Sequence, residues 1–182
     1  MATLEWKQKL YQRFKQCLPP ELRDDAWFSI FYSDVRPSPV AILGLNPGGN
    51  PKRPDTILRI STFYENGEHE YVAFRKESGY PIAGRMCTLL KESGLVLDWE
   101  SIRWIPKSNT IFHRSRRLPE LEDPVGAEQL ARPFVDELLA EIDPRIILFG
   151  GKEAFDWFAG PRWPAVEHRA GKPVSRVSSG GR

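Results

Sequence analysis

A short apolar run that ends in a turn constrains the fold of this chain more than any other feature. Residues 40–45 read Val-Ala-Ile-Leu-Gly-Leu, and Asn-Pro-Gly-Gly follows at once. An apolar run of this length, bounded by turn residues, predicts a strand that is buried on both faces. Ligands of open α/β sheets bind beyond the carboxyl ends of such strands, so Asn46 stands where a pocket can open. The alternative interpretation is an ordinary connecting loop.

The glycines around this asparagine would permit a ligand site, but a lone Gly-rich turn is more often an ordinary loop, and only the rest of the chain favours the site. Gly44, Gly48 and Gly49 have no Cβ, so the main chain can approach a ligand closely. The turn lacks the Gly-Lys-Ser/Thr of a P-loop, and it is not a dinucleotide-binding fingerprint. A second turn, at residues 150–152, would suit an anion at free N–H groups. Such turns are more often plain strand-to-helix connections.

Strand and helix patterns alternate along the chain, which predicts an α/β fold with a parallel sheet and helices on both faces. Pro133 is expected to break the third helix or to start its second segment, and Pro106 interrupts the second strand region. A long connection over residues 50–81 is expected to be functional, as long loops in compact domains usually are. The predicted helices cover residues 4–18, 83–93, 127–142 and 152–159, and the predicted strands cover residues 40–45, 102–112 and 145–149. Residues 145–149 are the clearest buried strand after the first, and residues 165–182 could form a hairpin.

Composition predicts one globular domain over residues 1–182. The chain is 41% hydrophobic and 27% charged, and its net charge of +2 is too small to indicate a nucleic-acid partner by itself. Cys17 and Cys87 fall inside helical patterns and are predicted to be reduced core residues, with no metal-ligand spacing around them. No apolar segment has membrane-spanning length and no secretory leader is present, so we expect a cytoplasmic protein, without a membrane partner and monomeric.

Three segments resemble motifs of one enzyme superfamily. Gly44-Leu45-Asn46-Pro47-Gly48 resembles the first motif of the uracil-DNA glycosylase superfamily, in the form found in its single-strand-selective and mismatch-specific branches. Ser108-Asn109-Thr110 is similar to the place where that superfamily holds its base-reading asparagine. Residues 144–155, Pro-Arg-Ile-Ile-Leu-Phe-Gly-Gly-Lys-Glu-Ala-Phe, resemble its strand–glycine–helix unit. Together the segments span residues 40–158 in the expected order.

The resemblance implies a three-layer α/β/α domain with a central, mostly parallel sheet. It implies hydrolysis of the N-glycosidic bond of uracil or a related damaged base in DNA, with the base flipped out and with no metal and no cofactor. Asn46 would orient the attacking water through its carbonyl oxygen. Asn109 would match N3–H and O4 of uracil, Phe63 would stack on the base, and Gly44 and Gly48 would border it.

A dense cationic tract follows the predicted base-reading asparagine. It contains His113, Arg114, Arg116 and Arg117. Charge runs are usually solvated loops. Beside a pocket for a polyanion, phosphate contacts become the better interpretation, so we expect these four residues to bind the DNA backbone.

The chain departs from the superfamily pattern near its end. A second catalytic motif, typically His-Pro-Ser or Asn-Pro-Ser, is expected late in the chain. Neither His168-Arg169-Ala170-Gly171 nor residues 177–180 match it. We therefore expect the sequence to be truncated near this motif, which puts full catalysis in question. The alternatives are a non-catalytic nucleic-acid or nucleotide-binding module on the same fold and an α/β domain that binds another small ligand.

Overall fold

The computed structural model describes residues 2–24, 26–49, 68–74, 81–98 and 100–162. Five α-helices and three strands are defined within these ranges, together with three short 3-10 helices at Pro20–Leu22, Glu100–Trp104 and Leu118–Glu120. In chain order the main elements are α1 (Leu4–Cys17), β1 (Val40–Gly44), α2 (Glu70–Phe74), α3 (Pro81–Glu92), β2 (Lys107–Asn109), α4 (Pro124–Ile142), β3 (Ile146–Phe149) and α5 (Lys152–Arg162).

The strands form a parallel sheet in the order β2-β1-β3, with the predicted strand β1 at its centre. All five residues of β1 are buried. Its last residue, Gly44, pairs with Asn109 at the end of β2, and Leu43 pairs with Phe149 at the end of β3. The three carboxyl ends therefore meet at one edge of the sheet, as the sequence predicted.

Alternate residues of β1 enter two separate cores. Ala41 and Leu43 pack in a cluster with residues of α1 and α4, including Phe14 and Phe134. Val40 and Ile42 pack on the other face, in a cluster with residues of α2 and α3 such as Tyr71. Strand side chains point alternately to opposite faces, so one apolar strand joins both cores. The α/β fold, with helix layers on both sides of a parallel sheet, is confirmed.

The prediction that Pro133 breaks its helix is wrong, because α4 continues through it from Pro124 to Ile142. A proline in a helix lacks the N–H that would bond four residues back. In α4 the neighbouring Ala131 and Phe134 are buried in the core, and this packing supports the helix across the lost bond. The helix begins conventionally, since the Asp123 side chain accepts from Gly126 N at 2.8 Å and Pro124 occupies the first turn.

Three other sequence predictions need correction. Residues 102–112 are not one strand, because a 3-10 helix at Glu100–Trp104 comes first and β2 covers only Lys107–Asn109. Strand β3 is only partly buried, with Ile146 44% exposed, because it lies at an edge of the described sheet. Cys17 is exposed at the end of α1, whereas Cys87 is buried as expected. The hairpin predicted for the tail lies outside the described residues.

No helix in the described ranges is long and apolar enough to cross a membrane.

Candidate functional site

The carboxyl ends of β1 and β2 bring the two predicted asparagine segments side by side. Pairing continues past the strands, since Thr110 N donates to Gly44 O and Ile111 N donates to Leu45 O, both at 2.8 Å. These bonds hold the turn that carries Asn46 against the segment that follows Asn109. The two asparagines that the sequence analysis placed at the ends of two separate strands thus lie on neighbouring segments.

The amide of Asn46 is oriented by three oxygen acceptors. Its Nδ2 donates to Ser115 Oγ at 2.9 Å, to Ser115 O at 3.2 Å and to Pro47 O at 3.2 Å. Carbonyl oxygens only accept, so the NH₂ end of the amide must face them. No donor among the described residues reaches Oδ1 of Asn46. As far as the described residues are concerned, this oxygen can accept a hydrogen bond from a water or a ligand.

The side chain of Asn109 is buried with its donor unused. The residue is 3% exposed, and no acceptor in the described part of the chain bonds its buried Nδ2. A Cβ on Gly44 would lie 2.1 Å from Oδ1 of Asn109, so the amide occupies space that only glycine leaves open. Buried polar groups are nearly always hydrogen-bonded, and an exception in a native structure calls for an explanation such as a missing ligand.

The rest of the turn is held by residues of the cationic tract. Ser115 N donates to Pro47 O at 3.2 Å, and Nη1 of Arg114 donates to Gly48 O at 3.1 Å. Gly48 itself is exposed, and a Cβ built on it would have no atom of a described residue within 4 Å. The turn therefore has a fixed backbone and open space on its outer side.

The cationic tract does not face solvent as a unit. Arg114 is 4% exposed, which corrects the expectation that it forms a surface phosphate contact. His113 is half-buried, and its ring packs edge-on against Phe14. Burial lowers the pKa of His113 and nearby Asp123 opposes this shift, so the ring is not a cation at neutral pH. Burial does not alternate along this segment, since Arg114 and Ser115 are both buried and Arg116 and Arg117 are both exposed, and a run of charged letters does not reveal which residues turn inward.

Arg116 and Arg117 are the exposed members of the tract. The guanidinium of Arg116 lies 3.2 Å from Glu120 in an ion pair on the surface. Exposed pairs of this kind contribute at most about 1 kcal/mol, so Arg116 can exchange its partner for a phosphate. Two of the four predicted phosphate-binding residues thus have the exposure that the prediction requires.

A cleft of about 790 Å³ lies beside this site and not in it. Ser115 and Arg116 line it, but Asn46 and Asn109 do not. Its wall also includes the acidic residues Glu120, Glu122 and Asp123, which would repel a phosphate. We therefore locate the candidate site at the amide groups of the strand ends and not in this cleft.

A buried polar cluster that the sequence pattern does not reveal lies on the Asn109 face of β2. Nζ of Lys107 lies 2.6 Å from Oε2 of Glu70 and 4.3 Å from the centre of the Tyr32 ring. His69 contacts Ile105 O through Nε2 at 3.0 Å and accepts from Tyr71 N at Nδ1. The cluster ties α2 to the sheet. In sequence its members are charged residues that are usually solvated, so no local signal distinguishes them.

The remaining points about the site concern Phe63, metal ligands and Ser115. Phe63, the predicted stacking residue, lies outside the described residues. No group of three or more His, Cys, Asp or Glu side chains in the described ranges could hold a metal ion. Ser115 is the residue that the sequence pattern missed, because a serine between arginines carries no signal of its own.

No protein-family model and no curated protein matches this chain.

Proposed function

We propose that this protein is a DNA base-excision glycosylase that hydrolyses the N-glycosidic bond of uracil or a related damaged base. The observation that carries the proposal is the buried, unsatisfied Nδ2 of Asn109 at the strand ends. Gly44 is the close neighbour of this amide, and the turn bearing Asn46 is paired to the same segment. The motif resemblance to the uracil-DNA glycosylase superfamily supports the same interpretation.

The chemistry of Asn109 suits uracil and mismatches cytosine. Its unsatisfied Nδ2 can donate to O4 of uracil, and its Oδ1 can accept from N3–H. Cytosine presents the reverse pattern, an acceptor at N3 and a donor amine at C4. A site built to pair with a polar group rejects an analogue that leaves the site's own groups unpaired. Uracil would therefore be selected by the group that is left unsatisfied in the free protein.

Asn46 supplies a positioned acceptor for the attacking water. A carboxamide is not a strong base, but its Oδ1 can hold a water for attack on an oxocarbenium-like sugar carbon. The three contacts at Nδ2 hold the amide, and no described residue donates to this oxygen. Water orientation, and not proton abstraction, is the role that this geometry supports.

The proposed substrate is DNA, with the target base flipped out or single-stranded so that it can reach the buried amide. Arg116 and Arg117, the exposed cations beyond the turn, would contact phosphates. We extend the proposal to a cytoplasmic monomer without a cofactor. The second candidate is a non-catalytic module on the same fold, which binds the base with Asn109 but does not hydrolyse the bond.

The test is excision from uracil-containing oligonucleotides, single- and double-stranded, with abasic sites as the readout. We expect the wild-type protein to form abasic sites, and we expect Asn46→Ala to reduce the single-turnover rate by about 100-fold or more. DNA affinity should stay near that of the wild type, because Asn46 acts on the water. A thermal melt of both proteins serves as the control for folding.

The outcomes separate the candidates. Preferential binding of uracil-containing DNA without excision would favour the non-catalytic module. Neither excision nor preference for uracil would reject both. Loss of folding in Asn46→Ala would instead make Asn46 a turn-forming residue.

A further inference from the structure

The amide of Asn46 depends on a residue far away in sequence. Its shortest bond runs from Nδ2 to Ser115 Oγ, at 2.9 Å and 69 residues apart in the chain. Ser115 is buried, and its own carbonyl oxygen is a second acceptor for the same Nδ2 at 3.2 Å. One residue therefore provides two of the three acceptors that hold the NH₂ end of the amide.

The contact between these residues is reinforced by the backbone. Ser115 N donates to Pro47 O at 3.2 Å, and the neighbouring Arg114 donates from Nη1 to Gly48 O at 3.1 Å. The turn that follows Asn46 and the segment at Ser115 are thus tied together at consecutive positions. Ser115 has a fixed place relative to Asn46, so its carbonyl oxygen, which can only accept, selects the NH₂ end of the amide, and its hydroxyl adds the closest bond that holds this end in place.

Asn46 without these acceptors could present either end of its amide to a water. With NH₂ outward it would offer a donor, which cannot direct a water lone pair toward an electrophilic carbon. With Oδ1 outward it accepts a hydrogen bond from the water and leaves a water lone pair directed for attack. The difference between the two orientations is the difference between a productive and an unproductive water.

We infer that Ser115 is a positioning residue that holds Asn46 with Oδ1 turned toward the reacting water. The inference rests on the proposed function, since it assigns Ser115 to that same reaction. It adds a residue that no motif indicates, through a hydroxyl that accepts from Nδ2 and does not itself contact the substrate.

The first test compares Ser115→Ala with Ser115→Thr in single-turnover excision of uracil. Ser115→Ala removes the closest acceptor, and we expect the rate to fall about tenfold, equivalent to about 1.4 kcal/mol, with unchanged affinity for the oligonucleotide. Ser115→Thr keeps the hydroxyl and should recover most of the rate. Ser115→Cys, with a weaker acceptor of similar size, should also be slow and serves where the alanine variant does not fold.

The matched control is Ser38→Ala. The Ser38 hydroxyl donates to Val40 O at 2.7 Å, so it too bonds the backbone at β1, but at the opposite end of that strand from Asn46. We expect this variant to excise at the wild-type rate. A wild-type rate in Ser115→Ala, or an equal loss in Ser38→Ala, would overturn the inference.

The second test reads the amide directly and needs no activity. The side-chain ¹⁵N–¹H₂ signals of Asn46 are assigned by their loss in Asn46→Ala, and their solvent exchange is measured by NMR. We expect exchange to be about tenfold faster in Ser115→Ala than in the wild type and unchanged in Ser38→Ala. Equal exchange in all three proteins would overturn the inference. A wild type that excises nothing while these rates differ would reject the proposed function and leave the assignment of Ser115 as a holder of Asn46 intact.

Discussion

The side chain of Asn109 is buried, and its Nδ2 has no acceptor among the described residues. A buried donor that stays unbonded generally costs about 1–3 kcal/mol. The neighbouring Gly44 makes this arrangement possible, because a Cβ there would lie 2.1 Å from Oδ1 of Asn109. Gly44 and Asn109 are register partners at the ends of β1 and β2. At the scale of single residues, the base-reading amide and the glycine beside it form one unit.

Two glycine variants separate this close contact from a general effect of losing glycine. Gly44→Ala should displace the Asn109 amide, reduce kcat/KM for uracil excision at least about tenfold and lower the free energy of unfolding by about 1–3 kcal/mol. Gly48→Ala has open space around its Cβ and should leave stability within about 0.5 kcal/mol of the wild type. Excision rates and urea unfolding of the two variants provide the comparison. Excision by Gly44→Ala at the wild-type rate would show that Asn109 does not contact the base.

At the scale of elements, the short helix α2 is fastened to β2 by buried polar groups. The ion pair between Lys107 and Glu70 has both side chains almost fully buried. Removing one partner of such a pair is strongly destabilising, because the other charge is left buried and unpaired. In the neighbouring His69, Nε2 bonds Ile105 O and Nδ1 accepts from Tyr71 N, so both ring nitrogens are hydrogen-bonded. A helix of five residues cannot be stable alone, and these contacts hold it in place.

His69 gives this attachment a pH dependence. Burial, and then the charge of Lys107, lowers the pKa of His69 to about 3. The unfolded chain takes up the proton near its ordinary pKa of about 6.5, so stability is complete above that pH and decreases as the pH falls from 6.5 toward 3. One such group contributes a slope of up to about 1.4 kcal/mol per pH unit.

We expect His69→Gln to flatten this slope while lowering stability at pH 7.5. Glutamine can donate to Ile105 O but does not titrate. The measurement is the free energy of unfolding in urea at pH 7.5, 6.5 and 5.5, for wild type and variant. His113, whose pKa is also lowered, stays in both proteins and cancels in the comparison. Parallel slopes for the two proteins would contradict the assigned cause.

At the scale of the whole molecule, the cationic tract is divided between the interior and the surface. Arg114 is buried and bonds the turn at Gly48, whereas Arg116 and Arg117 are exposed. Only exposed cations can release counterions from DNA on binding. The formal net charge of the chain is only +2, so the local placement of these residues decides where a polyanion would bind.

The salt dependence of DNA binding distinguishes the two groups. Arg116→Ala and Arg117→Ala should each flatten the log–log slope of affinity against salt by about one unit, and Arg114→Ala should leave the slope unchanged but lower the melting temperature. Fluorescence anisotropy with a labelled oligonucleotide between 50 and 200 mM salt measures the slope. An unchanged slope in both surface variants would identify them as residues of a solvated loop.

Much of the architecture was predictable from local pattern. The apolar run at β1 stops where Gly44 and the turn begin, and the parallel sheet follows from strands that alternate with helices. The sequence also placed Asn46 and Asn109 at the ends of two strands, and the carboxyl ends of parallel strands meet at one edge. Periodicity and turn chemistry depend on a few neighbouring residues, so they can be recognised from the sequence alone. The same logic misjudged Pro133, since the support for α4 comes from core packing beyond the helix.

Only the tertiary structure decided which polar groups are buried and which are exposed. The inward turn of Arg114, the acceptor role of Ser115 and the ion pair between Lys107 and Glu70 each depend on partners distant in the chain. The local sequence does not indicate such a partner, because charged and hydroxyl residues are solvated unless a specific contact offsets the cost of burial. The types of residue at the candidate site were determined by the sequence, and their orientations were determined by contacts that exist only in the folded chain.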